Sequence, residues 1–256
     1  MISYFFILSG ILFLFMNVWF IVSLIKKRND VADVAWGMGF VLLAWISFFL
    51  AGYKTNIGLL TSSIVTVWGI RLAWHIHARN KNKPEDARYR AWRNSWGKWF
   101  FIRSYFQIYI LQGLLLYIIS LPVLVINNTS VFEQNFFVVF GLFVWIIGFL
   151  FESIGDWQLA HFLKNPKNKG NLMTSGLWAY TRHPNYFGEV TQWWGIWILS
   201  LASPFGFFSI VGPLTITFLI VKVSGIPMLE KKMESHPQFL EYKKRVSKFF
   251  PFFKKN

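Results

Sequence analysis

The chain has 256 residues, of which 55% are apolar, 20% aromatic and only 14% charged, and it contains no cysteine. A charged share that far below the roughly 25% of soluble domains excludes an ordinary soluble fold, and the missing cysteines exclude disulfides, thiolate catalysis and cysteine-held metal centres. The net charge of +15 does not point to nucleic acid, because the basic residues sit between apolar segments, the pattern of membrane orientation and of contact with anionic lipid.

Seven apolar segments follow one another at about 3–25, 31–52, 56–79, 104–126, 134–160, 185–201 and 205–224. Each approaches the ~20 residues that cross ~30 Å of hydrocarbon. The expected fold is therefore an all-α integral membrane bundle of seven transmembrane helices forming a single domain over 1–256. Residues 1–126 would be its substrate side and about 140–256 its cofactor-binding half. Residues 1–25 read as a retained span, because Lys26, Lys27 and Arg28 follow the apolar run instead of preceding it.

All but three of the 26 basic residues fall in loops one, three and five and in the tail. The exceptions are Lys54, in an opposite loop, and Arg71 and Lys222, within spans. The positive-inside rule then places the amino terminus outside and the carboxyl terminus in the cytoplasm, with a bacterial inner membrane as the expected location. A six-span alternative folds 185–201 and 205–224 into a re-entrant hairpin. The tail from 230 mixes lysines and glutamates and ends Phe249-Phe250-Pro251-Phe252-Phe253, an interfacial aromatic anchor.

Several polar residues stand where lipid would penalise them. Asp33 opens the second span. Arg71 lies in the third, about 12 Å of helix from Arg79; it either snorkels to the interface or faces inward as a fork for phosphate. Glu152 and Asp156 share one face of the fifth span, as acidic partners of the basic loops or as acceptors for a ribose or an amide. The five histidines include no pair at helical metal-ligand spacing, and no metal is expected. No Gly-x-Gly-x-x-Gly or Walker motif occurs, so a bound nucleotide would enter the mouth of the helix bundle. Tryptophans there, such as Trp178 and Trp193, serve as an interfacial belt or as stacking surfaces.

Residues 174–195 concentrate this chemistry. Pro184 suits the first turn of a helix. Arg182, His183, Asn185 and Tyr186 then cluster at its start, where free N–H groups favour an anion. Glu189 lies one turn deeper, where a carboxylate accepts from an amide or amine. Donors at the rim and an acceptor below suit a pyridine dinucleotide.

The run Gly176-Leu-Trp-Ala-Tyr-Thr-Arg-His-Pro-Asn-Tyr-Phe-Gly-Glu189 resembles the carboxyl-terminal domain of the steroid 5α-reductase family, closest to its bacterial branch. Val34-Ala-Trp-Gly, Glu85-Asp-Ala-Arg-Tyr-Arg90, Ser104 to Gly113 and Ser224-Gly-Ile-Pro-Met-Leu-Glu230 agree. The resemblance implies a seven-helix membrane reductase that passes hydride from NADPH to a conjugated C=C bond of a steroid- or lipid-like substrate drawn from the bilayer. It implies that Asn185 and Glu189 hold the nicotinamide carboxamide, that Asp156, Tyr180, Arg182, His183, Tyr186 and Glu230 line the cofactor, and that Arg71 and Arg79 meet its phosphates. Steroid reductases polarise the enone carbonyl with a Glu and a Tyr from early helices. Here Asp33 is the only early carboxylate within a span, Tyr89 and Tyr105 are the candidate hydroxyls, and Asp33 with Tyr89 is the expected catalytic pair. The related isoprenylcysteine carboxyl methyltransferases share Arg-His-Pro-x-Tyr and a glutamate like Glu230, and use S-adenosylmethionine. Asn185 with Gly188-Glu189 favours the reductases.

Overall fold

The computed structural model describes residues 2–132 and 135–252. Lys254, Lys255 and Phe253, counted above among the basic and aromatic tail residues, lie outside the described residues. Every regular element among those described is helical. Six helices are long and apolar enough to cross a membrane: Ser3–Lys26, Val31–Leu50, Asn56–Asn80, Ala87–Ile119, Phe136–Lys164 and Gly206–Met233. The chain is thus a multi-pass, all-helical membrane protein by length and composition. It divides into two compact units, Met1–Glu133 with Ser203–Ser209, and Gln134–Ala202 with Ile210–Asn256.

The first unit contains α1 (Ile2–Lys26), α2 (Val31–Leu50), α3 (Asn56–Asn80), α4 (Ala87–Ile119) and the short α5 (Leu121–Asn127). α1 turns Phe6, Leu14 and Ile25 outward, more than 60% exposed, as a lipid-facing helix must. Behind it Phe40, Leu43, Trp68, Tyr109 and Leu116 are almost fully buried. Asn127 on α5 donates to Ala44 O at 2.9 Å and to Ser47 Oγ at 2.7 Å on α2, satisfying the nitrogen of a buried amide where water is absent.

One boundary differs from expectation. The gap between the apolar segments 56–79 and 104–126 is expected to be a loop, yet α4 begins within it at Ala87. Asp86 caps it, its side chain accepting from Arg88 N at 2.9 Å, a standard start for a helix. Arg88 and Arg93 then find carboxylates and need not face solvent. Within α4, Tyr105–Ile110 is wound as a π-helix.

The second unit is built on α6 (Asn135–Lys164) and α7 (Pro184–Ser200), followed by α8 (Val211–Phe218), α9 (Ile226–Met233) and α10 (Phe239–Arg245). Pro184 occupies the first turn of α7. α7 has 17 residues, about 26 Å of helix, shorter than the six spans. Small residues set how α6 and α7 pack. Gly141, Gly148 and Gly155 repeat every seventh residue, as do Gly188 and Gly195. A Cβ added at Gly148 would stand 2.6 Å from Gln192 N and 2.7 Å from Gly188 O. The two backbones therefore touch, the close approach that glycine permits between membrane helices.

Candidate functional site

Within the first unit, Tyr89 and Asp33 meet. The Tyr89 hydroxyl donates to Asp33 Oδ1 at 2.6 Å, and Arg88 Nη2 donates to Asp33 Oδ2 at 2.9 Å. Tyr89 is 3% exposed. The rival hydroxyl, Tyr105, instead donates to Asn17 Oδ1 at 3.1 Å. The α1–α2 turn supports this corner. Arg28 clamps Asp30 through two 2.6 Å bonds, Asp30 accepts from Asp86 N, and Asn29 N donates to Glu85 Oε1, which Arg93 also holds. Burial pushes the Asp86 carboxyl up, but bonds from the Arg88 side chain and backbone, with the charges of Arg88 and Arg79, outweigh it and leave it below the ordinary value. Arg79 is exposed near the end of α3, and Arg71 is half-buried earlier on the same helix.

Within the second unit, α6 and α7 share a polar stripe. Asn185 Nδ2 donates to Asp156 Oδ1 at 3.1 Å, and two turns deeper Gln192 Nε2 donates to Glu152 Oε2 at 2.5 Å. Glu152, Asp156 and Gln192 are all under 9% exposed. Glu189 and Tyr186 are half-buried on α7, while Tyr180 lies exposed before it. Gln192 was not singled out in the sequence; an amide inside an apolar run was the available signal. His183 Nδ1 and Gln192 Oε1 are among the buried polar atoms of this unit that have no protein partner.

Arg182 and Glu230 are also together, but their partners lie within the chain. Arg182 donates through Nε and Nη2 to Glu230 Oε1 at 2.8 and 2.7 Å, and through Nη1 to the carbonyls of Lys243 and Val246. His183 Nε2 stands 3.2 Å from the same Glu230 oxygen, and its ring stacks on Tyr186. Burial is the largest influence on His183 and holds it below the ordinary imidazole value; Arg182 and Lys248 add to this and Glu230 opposes it. The tail is strapped to the 180–183 loop by Arg182 N to Ser247 O, Thr181 Oγ1 to Phe249 O and Phe252 N to Tyr180 O. The Arg182 guanidinium is thus committed to Glu230 and the tail carbonyls. Among the described residues, no three His, Asp or Glu side chains gather as a metal site would need.

The family described as "Protein of unknown function (DUF1295)" matches residues 19–246. The chain belongs to it. This family includes steroid 5α-reductase-like proteins. An uncharacterized protein of the fission yeast Schizosaccharomyces pombe is 24% identical to this DUF1295 member over 93% of this chain and 77% of its own length. A probable O-methyltransferase of Ustilaginoidea virens is 39% identical over 46 residues, which are 18% of this chain and 16% of that protein. No solved structure matches the chain.

Proposed function

We propose that this protein is a membrane oxidoreductase that reduces a conjugated C=C bond of a hydrophobic, steroid- or lipid-like substrate with NADPH. The observation that carries the reading is the buried α6–α7 stripe of Asp156, Asn185, Glu152 and Gln192 in an otherwise apolar helix pair. Polar side chains at such depth are costly and mark function by default.

The residues present fit the cofactor's carboxamide. Such an amide offers donors and an acceptor together. Gln192 Oε1, buried without a protein partner, can take an N–H, and the Asn185 amide can meet the carbonyl. Glu189, one turn beyond Asn185, is the natural acceptor for a second N–H. When bound, the dihydronicotinamide supplies hydride to the β carbon of the alkene. The chain's own part is to orient, to exclude water and to place charge. In the first unit, the Tyr89 hydroxyl is the group suited to an enone carbonyl; its single proton rests on Asp33 Oδ1 at 2.6 Å and would turn from that oxygen to the substrate, while Arg88 balances the carboxylate.

The same reading carries seven spans, with α7 as a short one, the amino terminus outside and the carboxyl terminus cytoplasmic in a bacterial inner membrane. The distribution of basic residues supports it. Because the chain has no cysteine, single introduced cysteines at Lys54 and Lys98 report sidedness directly. Labelling of both from the same side would overturn it.

A second reading, an S-adenosylmethionine-dependent methyltransferase, is favoured by the 46-residue likeness to a probable O-methyltransferase and by the Arg182–His183–Glu230 trio. Ligand protection separates the two, since only a ligand that binds the folded state raises its melting temperature. NADPH should stabilise the purified protein and S-adenosylmethionine should not. Glu189→Ala should remove the NADPH effect. Protection by S-adenosylmethionine alone would establish the second reading in place of the first.

A further inference from the structure

The tail forms a cavity whose lysines neither reading uses. It has a volume of 350 Å³ and is lined by Arg182, Lys243, Lys244, Arg245, Lys248 and Phe252. Five cations converge on one concave space. Arg182 is neutralised by Glu230, and Arg245 pairs with Glu241 at 2.6 Å. Among the described residues, no carboxylate stands within ion-pair distance of Lys243, Lys244 or Lys248. All three are exposed, Lys243 with its Nζ 6.0 Å over the Phe239 ring.

The cavity is built, not incidental. Two of its backbone carbonyls, Lys243 O and Val246 O, are turned onto the Arg182 guanidinium. Those acceptors are thereby satisfied inside the wall, and the lysine side chains dominate the space. Below the strap, Phe239, Tyr242 and Val246 pack with Leu172 and Met233 and hold the loop in place. Beside the cavity, Phe250 and Phe252 are 59% and 64% exposed. Exposed phenylalanines next to lysines describe a surface seated at the headgroup level of a bilayer.

We propose that this cavity is a phosphate-binding site. Lysine ammoniums recognise phosphate as point charges, and unpaired cations at a membrane face attract the anionic phosphates of lipid headgroups. A soluble phosphate, such as that of a nucleotide, offers the same chemistry. The site stands independently of the reductase reading, since loss of phosphate binding would leave the α6–α7 stripe untouched.

The test uses the full chain in nanodiscs. Melting temperature is followed with rising phosphatidylglycerol in phosphatidylcholine, and separately with adenosine 2′,5′-bisphosphate in phosphatidylcholine alone. The triple variant Lys243→Gln/Lys244→Gln/Lys248→Gln should melt like wild type in phosphatidylcholine but lose the probe's shift, with affinity falling about fivefold per lysine. The triple Lys→Arg variant should retain the shift, as should Lys81→Gln/Lys83→Gln/Lys98→Gln. Response to phosphatidylglycerol identifies a lipid headgroup as the source, and response to the bisphosphate identifies a soluble one. If neither probe shifts the wild type, or if the Lys→Gln tail variant responds as fully as wild type, the proposal is overturned.

Discussion

Tyr89 and Asp33 lie 56 positions apart in the chain, yet the tyrosine hydroxyl sits 2.6 Å from the aspartate. The contact joins the start of α4 to the start of α2, and Arg88 closes it from the other carboxylate oxygen. Tyr89→Phe removes one donor and leaves Arg88 in place. Turnover of an enone substrate should fall about 10²–10⁴-fold, the range of a positioned proton donor. NADPH protection should persist, because the residues proposed to hold the nicotinamide, Asn185, Glu189 and Gln192, lie on α7. Unchanged turnover in Tyr89→Phe would remove the tyrosine from the chemistry.

Packing of α6 on α7 leaves no room for side chains at Gly141, Gly148, Gly188 and Gly195. A methyl group at Gly148 meets the α7 backbone at 2.6 Å, and backbone cannot swing aside as a flexible side chain does. Gly148→Ala should therefore destabilise by about 1–3 kcal/mol, the cost of overpacking. Gly52→Ala, with nothing within 4 Å of its added carbon, is the matched control. Thermal unfolding in one detergent compares them.

Arg182 makes its contacts as a planar fork, two to Glu230 and two to tail carbonyls. Lysine cannot reproduce that geometry. Arg182→Lys should loosen the tail strap, read as faster proteolysis within residues 243–248 while the α6–α7 core stays protected. Glu230→Ala should be worse, since it strands a buried guanidinium at a cost of about 3–5 kcal/mol.

His183 is 1% exposed, and its imidazole is held below the ordinary value of 6.5, chiefly by burial. The unfolded chain therefore binds a proton more readily than the folded one. Stability from this group is fully present above about pH 6.5 and is lost as pH falls through the depressed folded value. The melting temperature of wild type should drop between pH 7 and pH 5 by more than that of His183→Gln. Parallel curves would show that His183 does not govern the acid limb.

The sequence by itself determined the helical, multi-pass character, because a stretch of ~20 apolar residues has few other uses. It also marked where α7 begins, since Pro184 can open a helix but not continue one. The seven-residue glycine spacing on α6 and α7 was in plain view, although only packing gives it meaning. The start of α4 was read wrongly. A charged run resembles a loop until Arg88 and Arg93 are seen to reach Asp33 and Glu85. Asp33 with Tyr89 is the pair the resemblance leads one to expect, but only the tertiary structure brings the two side chains together and sends Tyr105 to Asn17. Arg182 shows the same limit, as its guanidinium is held by carbonyls more than 60 residues away. Local patterning sets which segments enter the bilayer, because burial of apolar surface is additive along the chain. Pairings between distant polar groups depend on register between helices, and only the folded chain sets that register.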